Sequence, residues 1–173
     1  RYYRAFDEKN KFERMQVNFD HPDAIEWNLL QKHLRSLENG ESVDMPVYSY
    51  EESTRTGYET VEAAPVIVVE GIFALYERLI DRLDLAVYIA PDPDIRAIRR
   101  VRRDVSERNR SIEFAARQYL ETTRIMHKKH IRPTKKHADI NLDGINHDRF
   151  INKVKAYFDR KHQETDKSLK EFI

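Results

Sequence analysis

Six arginines lie within twelve consecutive positions of this chain, a density suited to binding phosphate groups. They are Arg99, Arg100, Arg102, Arg103, Arg108 and Arg110. No lysine interrupts them, and guanidinium groups offer planar, paired donors to phosphate oxygens. A charge run is also typical of a solvated helix face, and Asp104 and Glu107 could partly neutralise this one. The arginines alone therefore leave a phosphate site and a solvated face equally open.

The segment Ser106–Ser111 interrupts the apolar pattern on both sides of it. This interruption predicts a mobile loop between two helices. A loop that carries arginines could act as a lid, because closing over a polyphosphate would exclude water from it.

Glu70 is a second candidate, because it directly follows the apolar run Val66–Val69. Such a run predicts a strand buried on both faces, as in a parallel sheet covered by helices. Open α/β sheets bind their ligands at the carboxyl ends of the strands. Glu70 is therefore either a carboxylate of a ligand site or the polar end of a core strand.

Asp20 is a third candidate, within the sequence N-F-D-H-P-D at residues 18–23. Its type and position predict an N-cap, because Pro22 follows in the first turn and apolar residues then recur at helical spacing up to Asn39-Gly40. Capping and a functional role are both compatible with this pattern.

Two tyrosines, Tyr48 and Tyr50, alternate along a predicted strand at Met45–Tyr50. Tyr58–Ala63 is predicted to be its hairpin partner across a polar turn. Side chains two apart share one face of a strand, so the two rings could sandwich a planar ligand or pack on a neighbouring helix.

The remaining pattern alternates helices and strands, which predicts a parallel α/β sheet. The predicted elements are a helical turn within Arg1–Asn18, a short helix at Leu75–Arg82, a strand at Leu85–Ala90, a helix opened by Asp92 and Pro93, a helix at Ile112–Lys129, a strand at Ala138–Leu142 with a turn at Asp143-Gly144, and a last helix capped by Asn146 and carrying Phe150.

Composition excludes several classes of protein. With 173 residues, 40% of them hydrophobic, the chain can form one cored domain, predicted over residues 1–163 with a polar tail at 164–173. A net charge of +1 argues against a general nucleic-acid binder, and no apolar run suits a membrane span. Zero cysteines exclude disulfides and fit the reducing cytoplasm. His127 and His130 lie three apart but lack a third ligand for a metal site.

Several motifs together resemble the uridine kinases (uridine–cytidine kinases) of the P-loop kinase class. The specific ones are N-F-D-H-P-D-A at residues 18–24 and R-R-x-x-R-D-x-x-E-R at residues 99–108. Weaker matches, in family order up to about Gly144, include Tyr2-Tyr3-Arg4, Pro46–Tyr50, Glu70-Gly71-Ile72, Gln118-Tyr119 and Pro133–Lys136. The resemblance implies a three-layer α/β/α fold with a small β-hairpin and an arginine-rich lid.

The same resemblance implies an activity and its partners. Such enzymes transfer the γ-phosphate of ATP, with Mg²⁺, to the 5′-hydroxyl of uridine or cytidine in pyrimidine salvage. It implies a cytoplasmic homo-oligomer, often a tetramer, with no nucleic-acid or membrane partner.

The resemblance also assigns roles to residues. Asp20 would bind the ribose hydroxyls, since a carboxylate can accept two O–H bonds from a diol. Glu70 would lie near Mg²⁺, through water, and would act in catalysis with Arg103 and Arg108. The implied substrate-binding residues are Tyr3, Phe19, Asp20, Tyr48, Tyr50, Ser53, Arg100, Arg110 and Gln118.

Two departures from the family pattern stand out. No GxxxxGK[ST] motif occurs among these 173 residues, which contain four glycines. We therefore expect an N-terminally incomplete kinase that does not turn over ATP by itself, whose general base would fall just ahead of Arg1. Ser53 stands where relatives commonly carry a base-reading histidine, so a different or broader nucleoside preference is expected.

Two alternatives remain at this stage. One is another kinase of the group, such as a phosphoribulokinase-like enzyme, although Tyr48 and Tyr50 argue against a sugar phosphate as substrate. The other is a non-catalytic nucleotide-binding module that kept the fold.

Overall fold

The computed structural model describes residues 1–144, 148 and 151–160. Strand β1 (Val43–Ser49) and strand β2 (Thr54–Val61) form an antiparallel hairpin. The predicted hairpin is confirmed, although both strands begin earlier than expected. The connecting turn is therefore short, and it holds Ser53 at a positive φ of 53°.

A parallel pair of strands lies apart from the hairpin. Strand β3 (Val87–Ile89) pairs in parallel with strand β4 (Ile140–Leu142), and the helices between them form the crossover. Parallel strands need such a long connection, so the predicted α/β class is confirmed. The predicted turn after β4 contains Gly144 at a φ of 72°, where an added Cβ would lie 2.8 Å from Ile89.

The strand predicted at Val66–Val69 is wrong. The segment is irregular, and Val68 is 83% exposed. Within the described residues the two sheets are β1–β2 and β3–β4, and neither takes up this segment. A strand is held by hydrogen bonds to a neighbour, so an apolar run with no paired neighbour has no regular conformation to adopt.

The helix predicted at Leu75–Arg82 is also wrong, because only Ile80–Arg82 forms a 3₁₀ turn. The helical turn expected near the start is present as α1 (Lys11–Met15), which opens with a capping box between Asn10 and Glu13. The helix predicted to start at Asp20 begins later.

The segment after Asp20 shows why the capping prediction was wrong. A 3₁₀ turn (Pro22–Ala24) comes first, and His21 caps it. Helix α2 (Trp27–Glu38) then begins with Glu26 in the N-cap position. The Asp20 carboxylate is therefore free of any capping role at α2.

Helix α3 (Pro93–Arg108) carries five of the six arginines of the run at residues 99–110. It starts with Asp92 in the N-cap position and Pro93 in the first turn, as predicted, although the Asp92 side chain makes no capping bond. Its apolar side faces outward, with Ile98 65% exposed, while Asp104 on the opposite side is buried. The polar side of α3 therefore packs on the rest of the chain.

The loop predicted at Ser106–Ser111 is shorter than expected. Helix α3 continues through Arg108, and it ends at Asn109 in the left-handed conformation, with a φ of 53°. Helix α4 (Ile112–Gln118) starts at once, capped by the Ser111 side chain. The mobile loop is therefore wrong for Ser106–Arg108, where the backbone is regular helix. The lid role of the arginines stays a prediction.

The helix predicted at Ile112–Lys129 is present but not uniform. After α4, the chain makes a π-helical turn (Tyr119–Thr123), helix α5 (Arg124–Met126), a second π-helical turn (His127–Ile131) and a 3₁₀ segment (Arg132–His137). A π turn shifts the angular register of the side chains after it, and such turns are frequent at functional sites.

The last helix is described for residues 151–160. The predicted roles of Asn146 and Phe150, and the tail from residue 161 onward, lie outside the described residues. Among the helices that the structure describes, none combines the length and hydrophobicity needed to cross a lipid bilayer.

The hydrophobic core lies between α2, the segment Phe73–Leu79 and β3. Its buried members are Trp27, Leu30, Leu34, Phe73, Leu75, Leu79, Ala86, Tyr88 and Ile131. Trp27 stacks on Tyr76, with ring centroids 5.4 Å apart. This core fixes the position of the chain just after Asp20 through the bond from the Trp27 indole to the carbonyl of Pro22, at 2.9 Å.

We expect Leu79→Ala to lower the free energy of unfolding by about 2–5 kcal/mol, because it opens a cavity at a core side chain. Leu79 is 2% exposed. Urea unfolding measures this loss, with the exposed Leu120→Ala as the matched control. Equal losses in the two variants would contradict the assigned core.

Candidate functional site

Asp20 lies in the interior, 6% exposed, between two elements that are far away in sequence. Its Oδ1 is 3.4 Å from Nη1 of Arg100 on α3. Its Oδ2 accepts a hydrogen bond of 2.7 Å from the Thr123 hydroxyl, at the end of the first π turn. The carboxylate is therefore oriented and held on both sides.

Arg100 joins this carboxylate to two further groups. Its Nη2 donates to Oε1 of Gln118 at 3.3 Å, and its Nε donates to Asp104 at 2.6 Å. Burial by itself would lower the pKa of Arg100, but the charges of Asp20 and Asp104 raise it above its ordinary value. One planar guanidinium thus connects α3, α4 and the segment before α2.

Asp104 also binds Arg108, one turn further along α3. Arg108 Nη1 donates to Oδ1 of Asp104 at 2.9 Å, and its guanidinium lies 4.2 Å from the ring centroid of Tyr50. Burial, followed by repulsion from Arg103, lowers the pKa of Arg108, while Asp104 opposes that shift. Arg108 therefore links the charged cluster to the aromatic residues.

Four aromatic rings form a continuous wall beside the charged cluster. Their centroids are 5.3 Å apart for Tyr3 and Phe19, 5.3 Å for Tyr3 and Tyr48, and 5.4 Å for Tyr48 and Tyr50. The rings meet at tilted or edge-to-face angles, which aromatic pairs favour. Tyr48 near the end of β1 and Tyr50 just after it thus do share a surface, and the surface extends to residues near the start of the chain.

The phenols of Tyr3 and Tyr48 stay protonated at neutral pH, because the pKa of each is raised. Burial, followed by the charge of Asp20, raises the pKa of Tyr3 to about 12. Burial also raises the pKa of Tyr48, with Tyr3 and Tyr50 adding to the effect. Phe19, the residue before Asp20, packs on Tyr3 at 5.3 Å, so the wall and the carboxylate lie side by side.

Ser53 is buried at the turn of the hairpin. Its Oγ accepts a hydrogen bond of 3.3 Å from Nη2 of Arg110, whose guanidinium lies 5.2 Å from the Phe114 ring centroid. Ser53 and Arg110 were both singled out in the sequence, and the structure brings them together at the end of the wall that Tyr50 forms.

Two predicted residues are less well connected. Arg103 is half exposed, and its Nε is 4.0 Å from Asp104. Glu70 is exposed and lies near the amino group of Arg1, where its charge opposes the lowering of the pKa that burial causes. Among described residues no hydrogen bond or ion pair joins Glu70 to Asp20 or the arginines, so its catalytic role remains a prediction.

The same holds for the predicted magnesium. Among the described residues no group of three or more His, Asp or Glu side chains could hold a metal ion. Mg²⁺ commonly keeps several waters and takes one or two protein carboxylates together with substrate phosphates. An exposed carboxylate such as Glu70 fits that limited part, acting through water.

His127 and His130 are not arranged as a metal pair. His127 Nε2 lies 3.5 Å from the Tyr88 hydroxyl, and His130 packs on His21 with ring centroids 4.8 Å apart. Burial, helped by the charges of Arg96 and Arg132, lowers the pKa of His127 to about 4. His127 is therefore neutral at neutral pH and serves packing.

This shift predicts a dependence of stability on pH. The unfolded chain binds a proton at His127 near its ordinary pKa of 6.5, whereas the folded chain does so near 4. The neutral, buried His127 therefore lets the free energy of unfolding keep its full value above pH 6.5. That free energy decreases as the pH falls from 6.5 toward 4. We expect His127→Gln to flatten this part of the urea-unfolding profile, while the exposed His137→Gln leaves it steep. Parallel profiles for wild type and His127→Gln would contradict the assignment.

Two site residues were not assigned from the sequence, namely Thr123 and Asp104. Asp104 had a usable signal, because it stands four residues after Arg100 and four before Arg108, and residues four apart meet on a helix face. Thr123 had none, since its approach to Asp20 depends on the π turn.

Comparison with known proteins agrees with this geometry. The family model described as "Phosphoribulokinase / Uridine kinase family" matches residues 3–150. A uridine kinase of Halobacterium salinarum is 45% identical over 148 residues, which cover 84% of this chain and 66% of that protein. A uridine kinase of Chloroflexus aggregans is 44% identical over 146 residues, covering 83% and 70%, and one of Staphylococcus epidermidis is 44% identical over 142 residues, covering 80% and 68%.

The chain spans about two thirds of the length of these relatives. The family match covers the hairpin, the arginine helix and the strand pair, and every residue of the site described above lies within residues 3–150. The resemblance drawn from the motifs is confirmed: this chain belongs to the phosphoribulokinase/uridine kinase family of P-loop kinases.

Proposed function

We propose that the complete protein containing this chain phosphorylates the 5′-hydroxyl of a pyrimidine ribonucleoside, using ATP and Mg²⁺. The observation that carries the proposal is the juxtaposition of the buried Asp20, held by Arg100, with a wall of aromatic rings. A carboxylate accepts from both hydroxyls of a ribose, and flat apolar rings suit a planar base. The names of the relatives support the same substrate class.

Each part of the site has a task in this reaction. Asp20 would accept hydrogen bonds from the ribose hydroxyls, and Arg100 would hold its carboxylate in place. A ribose hydroxyl would replace the hydrogen bond that the Thr123 hydroxyl donates to Asp20. The aromatic residues Tyr3, Phe19, Tyr48 and Tyr50 would line the base. Ser53 and Arg110 would contact the polar edge of the base. Their hydroxyl and guanidinium offer different hydrogen bonds from the imidazole of the histidine that relatives commonly carry in place of Ser53.

The arginines would neutralise the transferred phosphate. Phosphoryl transfer depends mainly on positioning and on charge stabilisation. Arg108 is placed for this, because it lies over Tyr50 at the edge of the wall and is fixed by Asp104. ATP and Mg²⁺ would supply the phosphoryl group and offset its charge, with Glu70 as an outer ligand of the ion. Homo-oligomerisation remains a prediction of the resemblance.

The test is an assay of the complete protein with ATP, Mg²⁺ and three acceptors, namely uridine, cytidine and ribulose 5-phosphate. We expect the nucleoside monophosphate as product and no turnover of the sugar phosphate. Turnover of ribulose 5-phosphate alone would support the other branch of the family. Nucleoside binding by calorimetry without any turnover would support a non-catalytic module instead.

A further inference from the structure

Asp104 is the most deeply buried carboxylate among the described residues, 2% exposed, and no substrate contact requires it. It sits on the inward side of α3, where three guanidinium groups approach it. Arg100 Nε is 2.6 Å away, Arg108 Nη1 is 2.9 Å away and Arg103 Nε is 4.0 Å away. The two shorter contacts use different carboxylate oxygens, Oδ2 and Oδ1.

The same residue also fixes the end of the helix. Its carbonyl accepts from the backbone N–H of Asn109 and, at 3.1 Å, from that of Arg110. The chain therefore leaves α3 in a direction that brings Arg110 to Ser53. Asp104 thus contacts, by side chain or backbone, the three arginines that meet Asp20, Tyr50 and Ser53.

The charge of Asp104 is what allows these arginines to stay together. Arg100 and Arg108 lie about two helical turns apart, with Asp104 midway between them. Without this anion the two guanidinium groups would repel each other, and burial already works against their charges. A buried carboxylate with two oxygens can serve two guanidinium groups at once, whereas a neutral amide has one acceptor oxygen.

We infer that Asp104 is a positioning residue. In the ligand-free protein it holds Arg100 in contact with Asp20, the ribose-binding carboxylate, and Arg108 in contact with the aromatic wall. It also limits the positive charge of the cluster, so that free polyphosphate does not occupy the site without a nucleoside. The inference rests on the proposed function for its nucleoside part, and on geometry alone for its arginine and polyphosphate parts.

The experiment compares wild type, Asp104→Asn and Asp104→Glu in the complete protein. The matched control is Glu107→Gln, which removes the same charge from an exposed position on the same helix. For Asp104→Asn we expect uridine to bind at least about tenfold more weakly, because Arg100 is no longer held in contact with Asp20. We expect inorganic triphosphate at low salt to bind at least about threefold more tightly, because the cluster loses a negative charge.

These opposite changes separate positioning from folding. A residue that matters for stability alone would weaken the binding of both ligands, and that outcome overturns the inference. Asp104→Glu keeps the charge, so its triphosphate affinity should stay within about twofold of wild type. Glu107 is exposed, and water weakens the interactions of its charge, so Glu107→Gln should also stay within about twofold. Tighter triphosphate binding in Glu107→Gln equal to that in Asp104→Asn also overturns it.

A measurement on the wild type keeps the inference testable even where Asp104→Asn does not fold. The Nε–H groups of Arg100 and Arg108 can be followed by ¹⁵N NMR and assigned with single Arg→Lys variants. We expect the Arg100 Nε–H to be ordered and slow to exchange in the ligand-free protein. Fast exchange at Arg100 would show that Asp104 does not hold it. If uridine fails to bind the wild type, the proposed function fails, while the NMR and triphosphate results still decide the role of Asp104.

Discussion

Replacing Asp20 by Asn is expected to lower kcat/KM for uridine by about a hundredfold to ten-thousandfold, because one hydrogen bond from the ribose is lost and the other no longer has a charged acceptor. The substitution keeps the shape of the side chain but leaves one acceptor oxygen in place of two. It also takes from Arg100, which is mostly buried, one of its two carboxylate partners, while Asp104 remains as the other. The effect should appear in nucleoside affinity as well as in turnover, because the contact exists before the phosphoryl group moves.

The control for this variant is Asp23→Asn. Asp23 lies three residues away, is exposed, and loses the same charge when substituted. We expect its kcat/KM to stay within about twofold of wild type, as for other exposed pairs. If Asp20→Asn bound uridine as tightly as the Asp23 variant, the ribose-binding role would have to be given up.

Replacing Arg100 by Lys is expected to lower kcat/KM by about a hundredfold, although the charge is kept, because an ammonium group cannot replace a planar fork. Arg100 reaches Asp20, Gln118 and Asp104 with three different nitrogens. A lysine can reach fewer of them, so Asp20 and Gln118 lose their alignment. The change should fall on kcat/KM for the nucleoside rather than on the affinity for ATP.

Arg102→Lys is the matched control, since Arg102 is exposed two positions further along α3. It should behave like wild type. The double variant Asp20→Asn with Arg100→Lys should lose less than the sum of the single losses, with a coupling of about 1 kcal/mol or more for residues in contact. Additive losses would mean that Arg100 and Asp20 act independently.

The secondary structure shows where sequence patterns succeed. The hairpin, the arginine helix and the parallel pair were all predicted, because local alternation, Pro93 and the turn residues specify them within a few positions. The Val66–Val69 strand was wrong because composition can favour a strand but cannot supply its hydrogen-bonded neighbour. The capping role of Asp20 was wrong because a 3₁₀ turn (Pro22–Ala24) comes first and helix α2 begins only at Trp27.

The site shows the same division. Asp20, the arginines and the tyrosines were identified by type, and the motif spacing placed them in a known family. The contact of Thr123 with Asp20, 103 positions apart, depends on a π turn that no local pattern announces. The pairing of Ser53 with Arg110 depends on how the hairpin packs beside the end of α3.

The sequence by itself determined the family, the kinds of chemistry available and most of the elements, because these follow from residue type and short-range spacing. The tertiary structure decided which side of α3 turns inward, and so made Asp104 the common partner of two arginines. It also left Glu70 apart from that cluster. The reason is physical: charge pairing and burial are set by contacts between distant segments, which periodicity along the chain does not encode.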